Sequence, residues 1–191
     1  GTFVYQVLSG LGGIPNSDCF GSGTVATGKN LTPPPNGLIS TPGDDPQIVS
    51  DGAGGAIIVW VGSYSGTDTD IYAQRVNGAG EAQWTANGVH ITTGMGTQDT
   101  PRVIPDGAGG AIITWRDTRA GISIGDLSGD IFAQRINSAG VVLWAVNGVP
   151  IGTGDWSFQE NPRLVTDGGG GAIIVWEDSR GGSPVYAQIC A

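Results

Sequence analysis

Side chains with reactive chemistry are scarce in this chain. His90 is the one histidine, and the two cysteines, Cys19 and Cys190, lie near opposite ends of the sequence. No Ser-His-Asp or Cys-His arrangement can be assembled from them, and they offer no paired ligands at zinc spacing. Carboxylates are more crowded. Asp68 and Asp70, and again Asp126 and Asp130, stand close together; oxygen-rich loops of this kind can hold calcium, although the EF-hand spacing is absent. Their other role is that of solvated acids and turn formers. The Asp-Gly-x-Gly-Gly segments precede apolar runs of strand type, whereas a phosphate cradle needs a helix after it. No catalytic residue and no cofactor is therefore expected.

Two further features concern covalent modification. Asn30-Leu31-Thr32 is a glycosylation sequon followed at once by Pro33-Pro-Pro35, an extended and exposed context in which Asn30 either carries a glycan or remains plain linker. Cys19 and Cys190 are placed as a stapling disulfide of a secreted protein would be, the alternative being two buried thiols. An extracellular or cell-surface location follows from the first reading.

Composition limits what can position these groups. Gly 35 and Pro 11 of 191 residues make long helices improbable, while six tryptophans and a hydrophobic share of 39 % are too much for a disordered chain. A net charge of -9 repels phosphate backbones and anionic lipid, so nucleic acid is not an expected partner. No apolar run is long enough for membrane insertion.

Self-comparison gives the organisation. Asp51-Gly-Ala-Gly-Gly-Ala-Ile-Ile-Val-Trp60 returns at Asp106 to Trp115 and at Asp167 to Trp176, with spacings of 55 and 61 residues. Asp70-Ile-Tyr-Ala-Gln-Arg-Val-Asn77 matches Asp130 to Asn137, and Val185-Tyr-Ala-Gln-Ile-Cys190 is a shortened copy; Trp84-Thr-Ala-Asn-Gly-Val-His-Ile91 matches Trp144 to Ile151. Each unit reads as four short strands: one beginning at Pro46, Pro101 or Pro162, the Ala-Ile-Ile-x-Trp run, the Ile-Tyr-Ala-Gln-Arg run, and one around Trp84 or Trp144. Four antiparallel strands in about 50 residues is the size of a β-propeller blade. The expected fold is all-β, a propeller-like array of about three four-stranded antiparallel units, with an N-terminal strand and Pro-rich linker over 1–35 and repeats over 46–100, 101–161 and an incomplete 162–191 within a domain of 36–191.

The repeat also sorts the reactive residues. Pro150 stands where His90 does, so His90 reads as a variable strand position and not a base. Asp117-Thr-Arg119 and Asp178-Ser-Arg180 recur, but Gly62 and Tyr64 replace the pair in the first copy, which favours structural pairing over ligand binding. Trp60, Trp115, Trp176, Trp84 and Trp144 hold equivalent positions and are expected in the core with Ile58, Ile113 and Ile174; Trp156, outside the pattern, is the aromatic candidate for ligand or subunit contact.

The three blocks together resemble the tandem modules of secreted and surface-attached bacterial β-propeller-like proteins, over residues 36–191. That resemblance implies scaffold or binding units, not a particular activity. The third copy has no fourth strand after Cys190, whereas Thr2-Phe-Val-Tyr-Gln-Val-Leu8 is an apolar run without a unit of its own. This strand completes the last unit either in cis, closing its own chain, or in trans, joining copies head to tail. The trans reading is supported by a resemblance to extracellular bacterial fibre subunits that polymerise by strand donation. It makes Phe3, Val4, Tyr5, Val7, Leu8, Tyr186 and Ile189 the subunit interface. It also makes the protein a self-assembling structural filament; the alternative is a carbohydrate- or protein-binding module, with glycans as partners.

Overall fold

A computed structural model describes residues 44–62, 68–119, 129–153 and 157–179, together with 186–190; for Asp44 and 186–190 the backbone alone is described. The described residues form eleven strands and no helix. β1 (Asp44–Ser50), β2 (Ala56–Gly62), β3 (Asp70–Val76) and β4 (Val89–His90) make one sheet in that order. β5 (Gln98–Pro105), β6 (Ala111–Asp117), β7 (Asp130–Ile136) and β8 (Val149–Gly152) make a second, and β9 (Gln159–Thr166), β10 (Ala172–Asp178) and β11 (Tyr186–Cys190) a third. All pairings within the sheets are antiparallel, and spatial order follows chain order.

The Asp-Gly-x-Gly-Gly segment makes the first hairpin of every sheet. Oδ1 of Asp106 accepts the N–H of Ala108 and of Gly110, both at 2.8 Å, and Asp51 and Asp167 repeat the arrangement. The last glycine of this turn is required by space: a Cβ on Gly110 would lie 2.1 Å from the carbonyl oxygen of Ile136. The third strand then locks the turn. Arg75 pairs with Asp51 at 2.8 Å and Arg135 with Asp106 at 3.0 Å. In the third sheet the same register position, opposite Ile173, is taken by Ile189.

Two elements differ from the sequence-based expectation. The first strand of each sheet begins before its proline, and the residue preceding proline sits at positive φ: Asp45 at 47°, Thr100 at 50° and Asn161 at 53°. The register breaks at this point in all three sheets. A bulge is thus built into every unit, and Thr100 is a β-branched residue in a conformation rare for that type. The fourth strand was expected around Trp84 and Trp144, but it is Val89–His90 and Val149–Gly152, after the tryptophans. The cause is a buried glutamine. Gln74 Oε1 accepts the N–H of Trp84 at 3.0 Å and its amide donates to the Thr85 carbonyl at 2.9 Å; Gln134 does the same for Trp144 and Ala145. The tryptophan is thus held in a turn, and pairing resumes after Asn87-Gly88 and Asn147-Gly148.

The sheets stack face to face. β1 lies against β5 and β5 against β9, so the first strands run side by side through the array. One face of the first sheet, with Ile57, Val59 and Val61 on β2 and Ile71 and Ala73 on β3, packs against Ile113, Trp115 and Phe132 of the second. The second joint uses equivalent residues: Ile112, Ile131 and Ala133 pack against Ile174 and Trp176. We call the first kind of face trailing and the second leading. Both joints bring a trailing face onto the leading face of the next sheet. Ile57, Ile112, Ile113, Ile131 and Trp115 are wholly buried, each contributing roughly 1.5–3 kcal/mol or more of transfer free energy.

Candidate functional site

Polar chemistry is concentrated where the sheets meet. At the first joint, Asp117 is buried and accepts Trp115 Nε1–H at 2.9 Å, the Gln98 amide at 3.3 Å and the Arg119 backbone N–H at 2.9 Å. Its ion pair with the Arg119 guanidinium completes the set. Gln98 in turn accepts the Thr92 hydroxyl at 3.0 Å, a contact from the first sheet to the second. Arg119 also donates to the Asn147 carbonyl at 2.7 Å and lies 4.3 Å over the Phe132 ring. The pair expected from Asp117-Thr-Arg119 therefore forms, and it ties the end of β6 to the loop ahead of β8.

The second joint departs from this network at three residues. Gly152 replaces Thr92, and Gln159 and Trp176 stand where Gln98 and Trp115 do. Both amide atoms of Gln159 and the Trp176 Nε1–H are buried without a hydrogen-bond partner. A Cβ at Gly152 would lie 2.6 Å from Gln159 Oε1 and 2.8 Å from the Trp176 ring, so the missing hydroxyl has no room to return. Such groups cost about 1–3 kcal/mol each.

Ion pairs lie near the bulges, two of them across the joints. Arg102 of β5 reaches Asp45 of β1 at 3.0 Å; Arg116 of β6 holds Asp99 at 2.7 Å and reaches Glu160 of β9 at 3.8 Å. All are partly exposed, so each contributes little alone.

The remaining candidates are dispersed. His90 is exposed on β4, its ring 4.3 Å from that of Tyr72. Among the described residues no three His, Cys, Asp or Glu side chains gather to hold a metal, and Asp126 lies outside them. Asp130 and Asp178 are buried on β7 and β10. Trp60, Trp84, Trp115 and Trp176 are buried and Trp144 is partly so. Tyr186, Ile189 and Cys190 belong to β11, which pairs only with β10 among the described residues, whereas β3 and β7 carry a further strand. Phe3, Val4, Tyr5, Val7, Leu8, Cys19, Asn30, Tyr64, Trp156 and Arg180 lie outside the described residues. Sequence reasoning missed Gln74, Gln98 and Gln134. For Gln74 and Gln134 the signal was present, a glutamine kept directly after the alanine of the third-strand run in all three copies.

Electrostatics predicts opposing pH effects. Burial raises Asp70 above the ordinary carboxylate value, with Asp68 and Asp117 adding to this, while the Thr92 hydroxyl and His90 oppose it. Burial also works to raise Asp51 and Asp106. For both, hydrogen bonds from the turn amides and from Arg75 or Arg135 outweigh it and leave the group below 3.8. Folding thus disfavours the charged form of Asp70, and stability is regained as pH falls through its raised value. The contribution of Asp51 and Asp106 is present above the ordinary value and lost as pH falls through their depressed values. Asp70→Asn should accordingly melt higher than the parent at pH 7, with the gap closing towards pH 4. Asp106→Asn should melt lower at pH 7, with its gap closing only at more acid pH. Melting curves at several pH values check both signs.

No protein-family profile matches the chain, and no curated protein matches it. Among solved structures, the endo-arabinase from Bacteroides thetaiotaomicron VPI-5482 is similar with a TM-score of 0.43 and 15 % identity, over 77 % of this chain and 55 % of that one. The chain thus spans little more than half the length of that enzyme, and a TM-score of this size decides neither fold nor activity. Among the described residues no helix is long and apolar enough to cross a membrane.

Proposed function

We propose that this chain is a non-enzymatic extracellular building block, a propeller-like array of three blade-like sheets that joins copies of itself head to tail by strand addition. The observation that carries this reading is the edge of the third sheet. β11 has β10 on one side and no strand on the other among the described residues, while its counterparts β3 and β7 are each followed by a fourth strand. A sheet edge of this kind pairs with an extended apolar segment through main-chain hydrogen bonds. Thr2-Phe-Val-Tyr-Gln-Val-Leu8 has the composition for it. In this reading Tyr186 and Ile189 supply the receiving strand, and a bond from Cys19 to Cys190 fastens the donated arm to it.

Negative-stain microscopy of the native protein should show regular fibres, and Val7→Pro, which removes a ladder donor, should disperse them. Denaturing electrophoresis without reductant should give a ladder that collapses to monomer on reduction. A monomer band of slightly altered mobility would place the arm in cis. Two alkylatable thiols in the unreduced protein would remove the disulfide. Discrete particles with saturable glycan binding would replace the filament by a carbohydrate-binding module.

A further inference from the structure

The two joints share one plan but are latched to different degrees. At the first, Gln98 is held by the first unit at three points: its main-chain N–H donates to the Thr69 carbonyl, its own carbonyl accepts the Thr69 hydroxyl, and its side-chain Oε1 accepts the Thr92 hydroxyl, each at 3.0 Å. Asn147 Oδ1 accepts the main-chain N–H and the hydroxyl of Thr93 at 2.9 and 3.1 Å. The Ser138 carbonyl accepts the Trp84 indole N–H and an Arg75 N–H, both at 3.1 Å. All of these bonds run from the first unit to the second.

The second joint lacks the side chains that would repeat them. Gly129 stands for Thr69 and Gly152 for Thr92, so neither hydroxyl that holds Gln98 has a counterpart. Gln159, in the place of Gln98, is wholly buried with both amide atoms unpaired. The Arg135 side chain is engaged with Asp106, and neither it nor the Trp144 indole bonds to a described residue of the third sheet. Arg116 does reach Glu160 across this joint, at 3.8 Å and partly exposed. Apolar contact is left as the main tie, Ile112, Ile131 and Ala133 against Ile174 and Trp176. Within the third sheet, Ile189 also replaces the arginine that locks the Asp-Gly turn of the other two.

We propose that the second joint is an opening point built into the fold: the third sheet parts from the second and returns as one cooperative unit, while the first two sheets stay together. Opening gives water to the Gln159 amide and the Trp176 N–H, which are unpaired in the closed joint, and this lowers its cost; at the first joint the same step breaks bonds already made. A three-stranded sheet whose apolar face is uncovered does not hold its own ladder. Opening therefore also releases the amides of β9 and β10. The device does not depend on how copies of the chain associate.

Ile113 and Ile174 are equivalent and wholly buried, one at each joint. Ile113→Cys and Ile174→Cys, introduced singly into the full chain and treated with a maleimide, should separate the joints: site-resolved mass spectrometry should find position 174 labelled about a hundredfold faster than position 113. Adding Gln159→Met, which puts an apolar side chain of similar length in place of the unpaired amide, should slow labelling at 174 by about tenfold. Gln98→Met, which strips a partner from Thr92 and from Asp117, should speed labelling at 113 by as much. Hydrogen exchange reads the same opening in the unsubstituted protein. Amides of β9 and β10 should exchange ahead of those of β2 and β6, with one common dependence on denaturant. Equal labelling at the two positions, or faster labelling at 113, would overturn the proposal, as would β9 and β10 exchanging only with global unfolding. So would Gln159→Met speeding the labelling at 174, because Gln159 would then hold a partner, such as a bound water, whose loss weakens the joint.

Discussion

Trp115→Ala is expected to lower the unfolding free energy by about 3–5 kcal/mol. The indole is wholly buried on the leading face of the second sheet, stacked on Phe132 with centroids 6.3 Å apart. Its outer ring fills the space over Gly148, where a Cβ would come within 2.5 Å of it. Removing the ring opens a cavity in the first joint and takes the N–H donor from the buried Asp117. A paired comparison separates these losses. Trp115→Phe keeps most of the area and drops the hydrogen bond, whereas Trp176→Phe drops an N–H that has no partner. Urea denaturation should therefore show the first to be the costlier by about 1–2 kcal/mol. Equal costs would mean that the Asp117 network adds nothing to the joint, and an alanine variant within 1 kcal/mol of the parent would remove Trp115 from the core.

Gly110→Ala should come next, at about 3 kcal/mol, the upper end of what overpacking costs. The obstacle is main chain on the partner strand, the Ile136 carbonyl at 2.1 Å and the Asn137 Cα at 2.8 Å, with Asp106 Oδ2 at 2.9 Å behind. Neither strand can give without breaking the hairpin that Asp106 caps. The control lies in the same turn of the third sheet. Gly169 would place a Cβ no nearer than 3.6 Å to anything, and Ala53 and Ala108 occupy its equivalents. Gly169→Ala should be neutral or stabilising by about 0.4–1 kcal/mol through the unfolded chain. Thermal melts of the two single variants test the pair, and a Gly110→Ala protein that melts with the parent would refute the steric account.

Much of the hairpin architecture is legible in the sequence because it is local. Asp-Gly-x-Gly-Gly names its turn, and the Ala-Ile-Ile-x-Trp runs name the strand after it, so the central hairpins and the burial of Ile58, Ile113 and Ile174 follow from spacing. What escaped depends on contacts across strands. The displacement of the fourth strand comes from Gln74 and Gln134 capturing main-chain groups ten and eleven residues away. The bulges come from a positive φ ahead of proline, against the usual extended preference of that position. Asp117 was readable as one half of an ion pair, but its bonds to Gln98 and Trp115 required knowing that β5 and β6 are neighbours. The difference between the two joints turns on Gly152 standing for Thr92, which looks like any other repeat substitution until Gln159 is seen without a partner.

The uniform sense of stacking bears on how such a chain can change length during evolution. Because every internal joint sets a trailing face on a leading face, an in-frame duplication of one whole unit inserts a sheet whose two sides already match its neighbours. No new apolar surface has to arise before the longer product folds. Unit number is then free to drift by recombination between the near-identical Asp-Gly-x-Gly-Gly-Ala-Ile-Ile segments, while the joint residues stay under selection as a set. Related genes should accordingly differ in whole multiples of about 55–61 residues, with shorter insertions gathered in the connections between the second and third strands.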